Sequence, residues 1–227
     1  MSLKIYDCDQ GTDEWHTLRR GVVTASTIGA LITPKRLQVS YGKTAQTKIM
    51  ELVAERITDH TEDFAWSKDM ERGTLDEPYA RDAYAEHNNT KVLEVGFMTR
   101  EVDDHIIGYS PDGLVGADGL IEIKSRRQRI QLDTILNNEV PEANMAQLQT
   151  ALFVSGRKWI DFVSYSGGMP LYTKRVTPDP AWQNIIPKAL AEAEALIEHQ
   201  LDKYYKAVEG LPMTERIDHF EEVELKL

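Results

Sequence analysis

One segment constrains this chain more than any other: a Ser110-Pro111-Asp112-Gly113 turn, followed ten residues after Asp112 by Glu122-Ile123-Lys124. Ile106-Ile107-Gly108-Tyr109 leads into the turn, Leu114-Val115 leaves it, and Gly119-Leu120-Ile121 opens the next run. Short β-branched and apolar runs predict strands, and Pro111-Asp112-Gly113 and Ala117-Asp118-Gly119 supply the turns between them. Side chains alternate along a strand, so Glu122 and Lys124 share one face while Ile121 and Ile123 share the other. The hairpin brings Asp112 back towards the polar face. Exposed, Glu-x-Lys would be an ordinary solvated pair. Leu120, Ile121 and Ile123 make this strand buried on at least one face, where charges need a partner or a metal. Two carboxylates, with a backbone carbonyl such as that of Ile123, are hard oxygen donors suited to Mg²⁺ or Mn²⁺. Lys124 then sits where it can orient or deprotonate an attacking water. This is the minimum equipment for cutting a phosphodiester.

The rest of the chain supplies a frame for that segment. Residues 11–33 read as two short helices, the second opening at Thr24 as N-cap. Ile49, Leu52, Val53 and Ile57 mark an amphipathic helix over 43–58. Residues 74–88 predict another, with Thr74 as cap and Asn88-Asn89 as stop. Strands follow near 91–99, 105–109, 113–116 and 119–125. A helix over 142–155 carries Met145, Leu148, Leu152 and Phe153 and ends at Gly156. Strands at 158–165 and 170–176 flank a Gly167-Gly168 turn, and a long helix at 180–207 precedes an acidic tail. The expected fold is α/β or α+β, a central mixed β-sheet flanked by helices. The whole chain, 1–227, is expected to be one domain. Its core is expected over about 70–176, with N-terminal helices at 11–58 and the C-terminal helix and tail at 180–227.

Composition narrows the setting. A single Cys8 excludes an internal disulfide framework and a Cys-rich zinc site. No apolar run is long enough to span a bilayer, and the N-terminus lacks the apolar segment of a signal peptide, so a cytoplasmic setting is expected. The net charge of −11 argues against nucleic acid at first sight. Local potential matters more than the total. Lys124, Arg126, Arg127 and Arg129 cluster beside the motif, with Arg19-Arg20 and Lys35-Arg36 elsewhere; acid gathers at Glu192, Glu194, Glu198 and in the tail.

Placed on this frame, the chain resembles the PD-(D/E)xK nuclease superfamily. More closely, it resembles the phage lambda exonuclease type, the YqaJ-like viral recombinases. The resemblance rests on several blocks: Glu14 to Ser26, with Trp15-His16-Thr17-Leu18-Arg19 at its centre; Gly73 with Glu77; Ser110 to Gly113; Glu122 to Lys124; and Met145-Ala146-Gln147-Leu148-Gln149. They span residues 14 to about 155. The resemblance implies a restriction-endonuclease-like core and a Mg²⁺-dependent 5′→3′ exonuclease, with Mn²⁺ able to substitute. Such an enzyme digests one strand of linear duplex DNA and leaves a 3′ overhang for a single-strand annealing protein. It also implies a homotrimeric ring in the cytoplasm of a bacterial host, with no membrane association.

Residue roles follow from the same match. Asp112, Glu122 and the Ile123 carbonyl are metal ligands, Lys124 serves the water, and Glu77 and Gln147 complete the catalytic set. Arg19 grips a 5′ phosphate as a planar fork, with Ser26 beside it at a helix start. Arg126, Arg127 and Arg129 track the phosphate backbone, although this arginine-dense stretch departs from the family's single arginine further along. Met70 falls where the family places a strand-separating wedge. Trp15 and His16 are assigned to packing. Two other readings stand beside this one. A PD-(D/E)xK endonuclease or repair nuclease would use the same chemistry on a different substrate geometry. A non-enzymatic single-strand-binding module would want interleaved aromatics and bases, and the aromatics here are scattered.

Overall fold

The chain enters as a strand, β1 (Leu3–Tyr6), and leaves through a 28-residue helix at the far end. The computed structural model describes residues 2–62 and 67–217, so the tail acids Asp218, Glu221, Glu222 and Glu224 lie outside the described residues. After β1 come α1 (Asp13–Arg19), β2 (Val23–Thr24), α2 (Ile28–Leu31), β3 (Ile32–Thr33), β4 (Gln38–Val39), α3 (Lys43–Thr58) and α4 (Lys68–His87). The strands β5 (Val92–Leu93), β6 (Phe97–Val102), β7 (His105–Tyr109), β8 (Gly113–Val115) and β9 (Gly119–Ser125) follow. Then come α5 (Gln128–Asn137), α6 (Glu142–Ser155), β10 (Trp159–Tyr165), β11 (Tyr172–Val176) and α7 (Pro180–Ala207).

The mixed α/β class is as expected, but the single central sheet is divided. One sheet has the order β1-β6-β7-β2, another β11-β10-β9-β8-β5, and β3-β4 is a small hairpin. The chain crosses from the first to the second at Ser110-Pro111-Asp112, between β7 and β8. Proline there has no N–H to offer a ladder, so pairing stops and the chain turns. β9 pairs antiparallel with β8 and parallel with β10, and the return through α5 and α6 is the crossover that a parallel pair requires.

Both faces of the five-stranded sheet are covered. Ile121, Ile123 and Val163 pack with Ala80 and Tyr84 of α4. Leu120 and Phe162 belong to the main core with Leu148 and Leu152 of α6. α6 is apolar nearly all round, as a helix packed on several sides must be, and truncating Leu148 to alanine would cost about 2–5 kcal/mol. Opposite faces of β9 thus meet different helices, as the strand alternation requires.

Several local expectations are corrected. Thr24 is no N-cap: it ends β2, which pairs in parallel with β7, and α2 opens after Thr27. Tertiary pairing outweighs the capping preference, because Val23 is wholly buried and Ala25 N–H donates to Gly108 O. The 11–58 segment therefore holds short strands as well as helices. Thr74 lies inside α4, which starts at Lys68 with Ser67 Oγ accepting from Met70 N–H. β1, the β3–β4 hairpin and α5 were not expected. The helices at 43–58, 142–155 and 180–207 have the expected bounds.

Candidate active site

Where the two sheets part, β7, β8 and β9 end beside the N-terminal halves of α4 and α6, and a cleft of about 490 Å³ opens. Asp112, Glu122, Ile123, Lys124, Glu77, Gln147, Arg19, Ser26 and Met70, proposed from widely separated segments, all line it. Arg126, Arg127 and Arg129 do not. They line an adjoining open groove of about 590 Å³ with Arg72 and Ser166, just past Ser125.

At the carboxylate end, Glu122 is almost wholly buried. Lys124 Nζ donates to its Oε1 at 2.7 Å, Gln147 Nε2 donates to the same oxygen at 2.5 Å, and the Tyr109 hydroxyl donates to Oε2 at 3.1 Å. The Ile123 N–H donates to Asp112 Oδ2 at 2.6 Å. A strand residue turns its N–H and C=O to the same edge, so the Ile123 carbonyl faces the Asp112 side as well. Arg81 braces the turn from α4. Its Nε donates to Asp112 O at 2.9 Å, its Nη2 to Glu77 Oε1 at 2.5 Å, and its Nη1 pairs with Glu94 at 2.8 Å.

The charges are out of balance. Among the described residues, the cations acting on Asp112 and Glu77 are Lys124 and Arg81, and Arg81 is shared with Glu94. Burial, then the nearby Glu122 charge, pushes the Asp112 carboxyl well above the usual carboxylate range, against the pull of Lys124. Burial also raises Glu77, with Arg81 opposing. Burial by itself would lower Lys124, but Glu122 and Asp112 outweigh it and hold the ammonium above its ordinary value. Buried like charges of this kind ask for a cation. The donor set fits a hard divalent ion: carboxylate oxygens and a backbone carbonyl. Among the described residues no three His, Cys, Asp or Glu groups gather closely enough to hold an ion by themselves, so carbonyl, water and substrate oxygens would have to complete its shell.

The other end of the cleft carries a guanidinium. Arg19 closes α1 with its guanidinium 4.3 Å from the Trp15 ring centre, and its Nη1 donates to Ser110 Oγ at 2.6 Å. Trp15 Nε1 donates to the same hydroxyl at 3.0 Å and to Gly96 O at 3.2 Å. Trp15, expected only to pack, is therefore also a wall of the site, and the one helical turn between it and Arg19 is the signal that could have revealed their stacking. Burial pushes the Arg19 guanidinium down to about 10, with the Glu55 charge opposing. Ser26 is exposed, its hydroxyl 2.9 Å from that of Thr24. Met70 stands half exposed at the rim.

Of the three groove arginines, Arg127 forks onto Asp69 at 3.0 and 2.9 Å, and Arg129 pairs with Asp133 one helical turn away. Arg126 is more enclosed, with Nη2 donating to Asn144 Oδ1 at 2.7 Å and its guanidinium over Phe162. Tyr109, Arg81, Ser110 and Asn144 escaped the sequence reading of roles. Only Tyr109 and Ser110 had a signal, their place beside the Pro111-Asp112 turn.

Residues 14–158 match the model of the YqaJ-like viral recombinase domain. Among solved structures the chain is similar to an alkaline exonuclease (LHK-Exo) from Laribacter hongkongensis, also solved in complex with dAMP. Identity is 33% and the TM-score 0.73, over 86% of this chain and 100% of that one. A phage related exonuclease from Haemophilus somnus 129PT shares the fold at 14% identity, with a TM-score of 0.62 over 83% of this chain and 99% of that one. No curated protein matches.

Proposed function

Because the chain belongs to the YqaJ-like viral recombinase family, we propose that it is a divalent-metal-dependent exonuclease, digesting one strand of linear duplex DNA from the 5′ end. The observation that carries this reading is the shape of one cleft. Asp112, Glu122, Glu77, Gln147 and Lys124 stand at one end, and Arg19, Ser110 and Ser26 at the other. A terminal phosphate held at the arginine end would present an internal phosphodiester to the carboxylate end.

Asp112, Glu122 and the Ile123 carbonyl would hold Mg²⁺, or Mn²⁺ in its place, with Glu77 as a contact to a second ion. The chemistry such a cation supplies when bound is Lewis-acid stabilisation of charge on the phosphoryl oxygens. Lys124, held beside the site by Glu122, is placed to orient or deprotonate the attacking water. Gln147 and Tyr109 fix the Glu122 carboxylate from opposite oxygens. Arg126, Arg127 and Arg129 hold backbone phosphates in the adjoining groove. Met70 is the wedge at the rim.

The proposal extends to a single domain over 1–227, a 3′ overhang passed to a single-strand annealing protein, and action in the cytoplasm of a bacterial host. It also includes a homotrimer. A chain of net charge −11 gains most by gathering its local arginines around one channel. Light scattering should return three chain masses at micromolar concentration, whereas a dimer would favour two-fold-related double-strand cutting. No described helix is long and apolar enough to cross a membrane.

The deciding assay uses end-labelled linear duplex with and without a 5′ phosphate, and closed circular duplex, each with Mg²⁺ or EDTA. Metal-dependent release of nucleotides from the linear 5′ end, with the circle intact, is expected. Cutting of the circle would replace this reading with the endonuclease one, and no hydrolysis with any divalent metal would leave only DNA binding.

A further inference from the structure

Gly21 is gripped from α3 by both of its backbone groups. Glu55 Oε2 accepts from its N–H at 2.6 Å, and Arg56 Nε donates to its carbonyl at 2.8 Å. Arg56 is anchored in turn, its two terminal nitrogens each 2.8 Å from an oxygen of Glu194 on α7. The Glu194 side chain is only 8% exposed, so the anchor is set in the protein body. Gly21 has a φ of +65°, and a Cβ there would lie 2.6 Å from Arg56 Cγ. The turn is therefore shaped to its clamp, and only glycine fits it unstrained.

What the clamp holds is the short link between the two halves of the anion end. Arg19 lies two residues before Gly21, and Val22 N–H bonds back to Arg19 O at 3.0 Å. Thr24 lies three residues after Gly21, followed by Ser26. Arg19 also borders a second cavity, of about 180 Å³, behind the cleft wall, and there its neighbours include Glu55, Glu51 and Thr24. The carboxylate that grips Gly21 thus stands at the back of the guanidinium, while Trp15 and Ser110 hold its front. A guanidinium that must fork onto a phosphate is useful only if it is held to within about 0.5 Å, so what holds it sets its selectivity.

We propose that Glu55 and Arg56 are positioning residues for terminal-phosphate recognition: through Gly21 they hold Arg19 and Ser26 in register so that both converge on a phosphomonoester at a DNA 5′ end. This rests on Arg19 and Ser26 as phosphate ligands, which Arg19→Ala tests separately. Neither Glu55 nor Arg56 touches the metal end, so they act on which ends are taken rather than on how the bond is cut.

The experiment compares kcat and KM on linear duplex bearing a 5′ phosphate or a 5′ hydroxyl, for Glu55→Ala, Glu55→Gln, Arg19→Ala and the Glu55→Ala/Arg19→Ala double variant, with Tm for each. Glu55→Ala is expected to narrow the phosphate preference about tenfold, through KM for the phosphorylated end. Glu55→Gln, which keeps an oxygen for the Gly21 N–H, should retain most of it. In the double variant the preference should equal that of Arg19→Ala alone, because the two residues act as one unit. If Arg19→Ala removes the preference while Glu55→Ala keeps it, the clamp is overturned and the phosphate reading stands. If Glu55→Ala slows both substrates equally with a lowered Tm, Glu55 is structural only. If Glu55→Gln loses as much as Glu55→Ala, charge and not the backbone grip is at work, and the proposal fails. If Arg19→Ala leaves the preference intact, the phosphate reading falls and takes the clamp's role with it.

Discussion

The Ile123 N–H donates to Asp112 Oδ2 at 2.6 Å, so one carboxylate of the site is held by the backbone of the strand that carries the other. β8 begins at Gly113, and the side chain of Asp112 just before it extends the pairing with β9 by one further bond. The position of Asp112 therefore follows from the sheet rather than from a flexible side chain. One oxygen is committed to Ile123, and the other would be the one to meet the proposed cation.

The same arrangement makes the metal-free protein sensitive to pH. Burial and Glu122 raise the Asp112 carboxyl, so the folded state holds a proton that the unfolded chain releases at about pH 3.9. A raised carboxyl stabilises the fold below the unfolded value and withdraws that support as pH rises through the folded one. Asp112→Asn keeps an oxygen for Ile123 and removes the charge. In EDTA near pH 7 it should melt several degrees above the parent, with a flatter Tm–pH profile, while cleavage falls at least about a hundredfold. An unchanged or lower Tm would show that the Asp112 charge is already balanced without metal.

Lys124→Ala should lower cleavage by about 10²–10⁴-fold, the range for a group acting on the proton or charge of the transition state. Binding to duplex in Ca²⁺, followed by fluorescence anisotropy, should change by less than about twofold. Equal losses in binding and cleavage would make Lys124 a phosphate contact instead.

How much of this was legible depended on how local each cause was. The Asp112, Glu122 and Lys124 set was readable because turn chemistry and strand alternation are short-range. Helices with sustained periodicity, such as the one over 43–58, were readable for the same reason. β2 was not: Val23 and Thr24 are a strand only because β7 lies beside them, and Thr24 alone looks like a cap. The grip of Arg81 on the turn left no mark, since Asp112 lies 31 residues away and meets it only in the fold; Tyr109, 13 residues from Glu122, was marked only by its place beside the turn. The arginine-dense start of α5 drew a reading of phosphate contacts, and the helix itself was not expected.

Arg81 binds the turn and Glu77 at once, with a side chain only 13% exposed. Arg81→Gln should weaken apparent metal affinity about 10–100-fold, the usual effect of losing a group that orients a ligand. High Mg²⁺ should recover much of its activity and none of that of Lys124→Ala. A Mg²⁺ titration superimposable on the parent's would confine Arg81 to a structural role.

In the groove, Arg127 and Arg129 sit in exposed ion pairs, which contribute little to stability and yield readily to phosphate. Alanine at each should lower the slope of log K against log salt by about 1. Arg126→Ala should weaken binding most, because Asn144 holds its fork in place before DNA arrives. An unchanged slope for all three would remove the groove from the DNA path.

Arg19 offers a pH test that is independent of the metal end. A terminal phosphate takes on its second charge near pH 6 and an internal diester does not, so the preference for phosphorylated ends should rise from about pH 5 to 7. Arg19 is the partner of that charge. Burial brings its guanidinium down to about 10, so it is cationic below that pH and loses its charge as pH rises through it. The preference should accordingly hold level through neutral pH and fall towards pH 10. Taking the ratio of rates on phosphorylated and hydroxyl ends cancels any titration shared by both, including that of Asp112 and Lys124. Arg19→Ala should leave a ratio near one, flat from pH 6 to 10. Arg19→Lys should keep part of the preference, since an ammonium supplies the charge but not the two parallel bonds. A parent ratio that stayed level beyond pH 10, or a slope that survived Arg19→Ala, would assign end recognition to some other cation in the cleft.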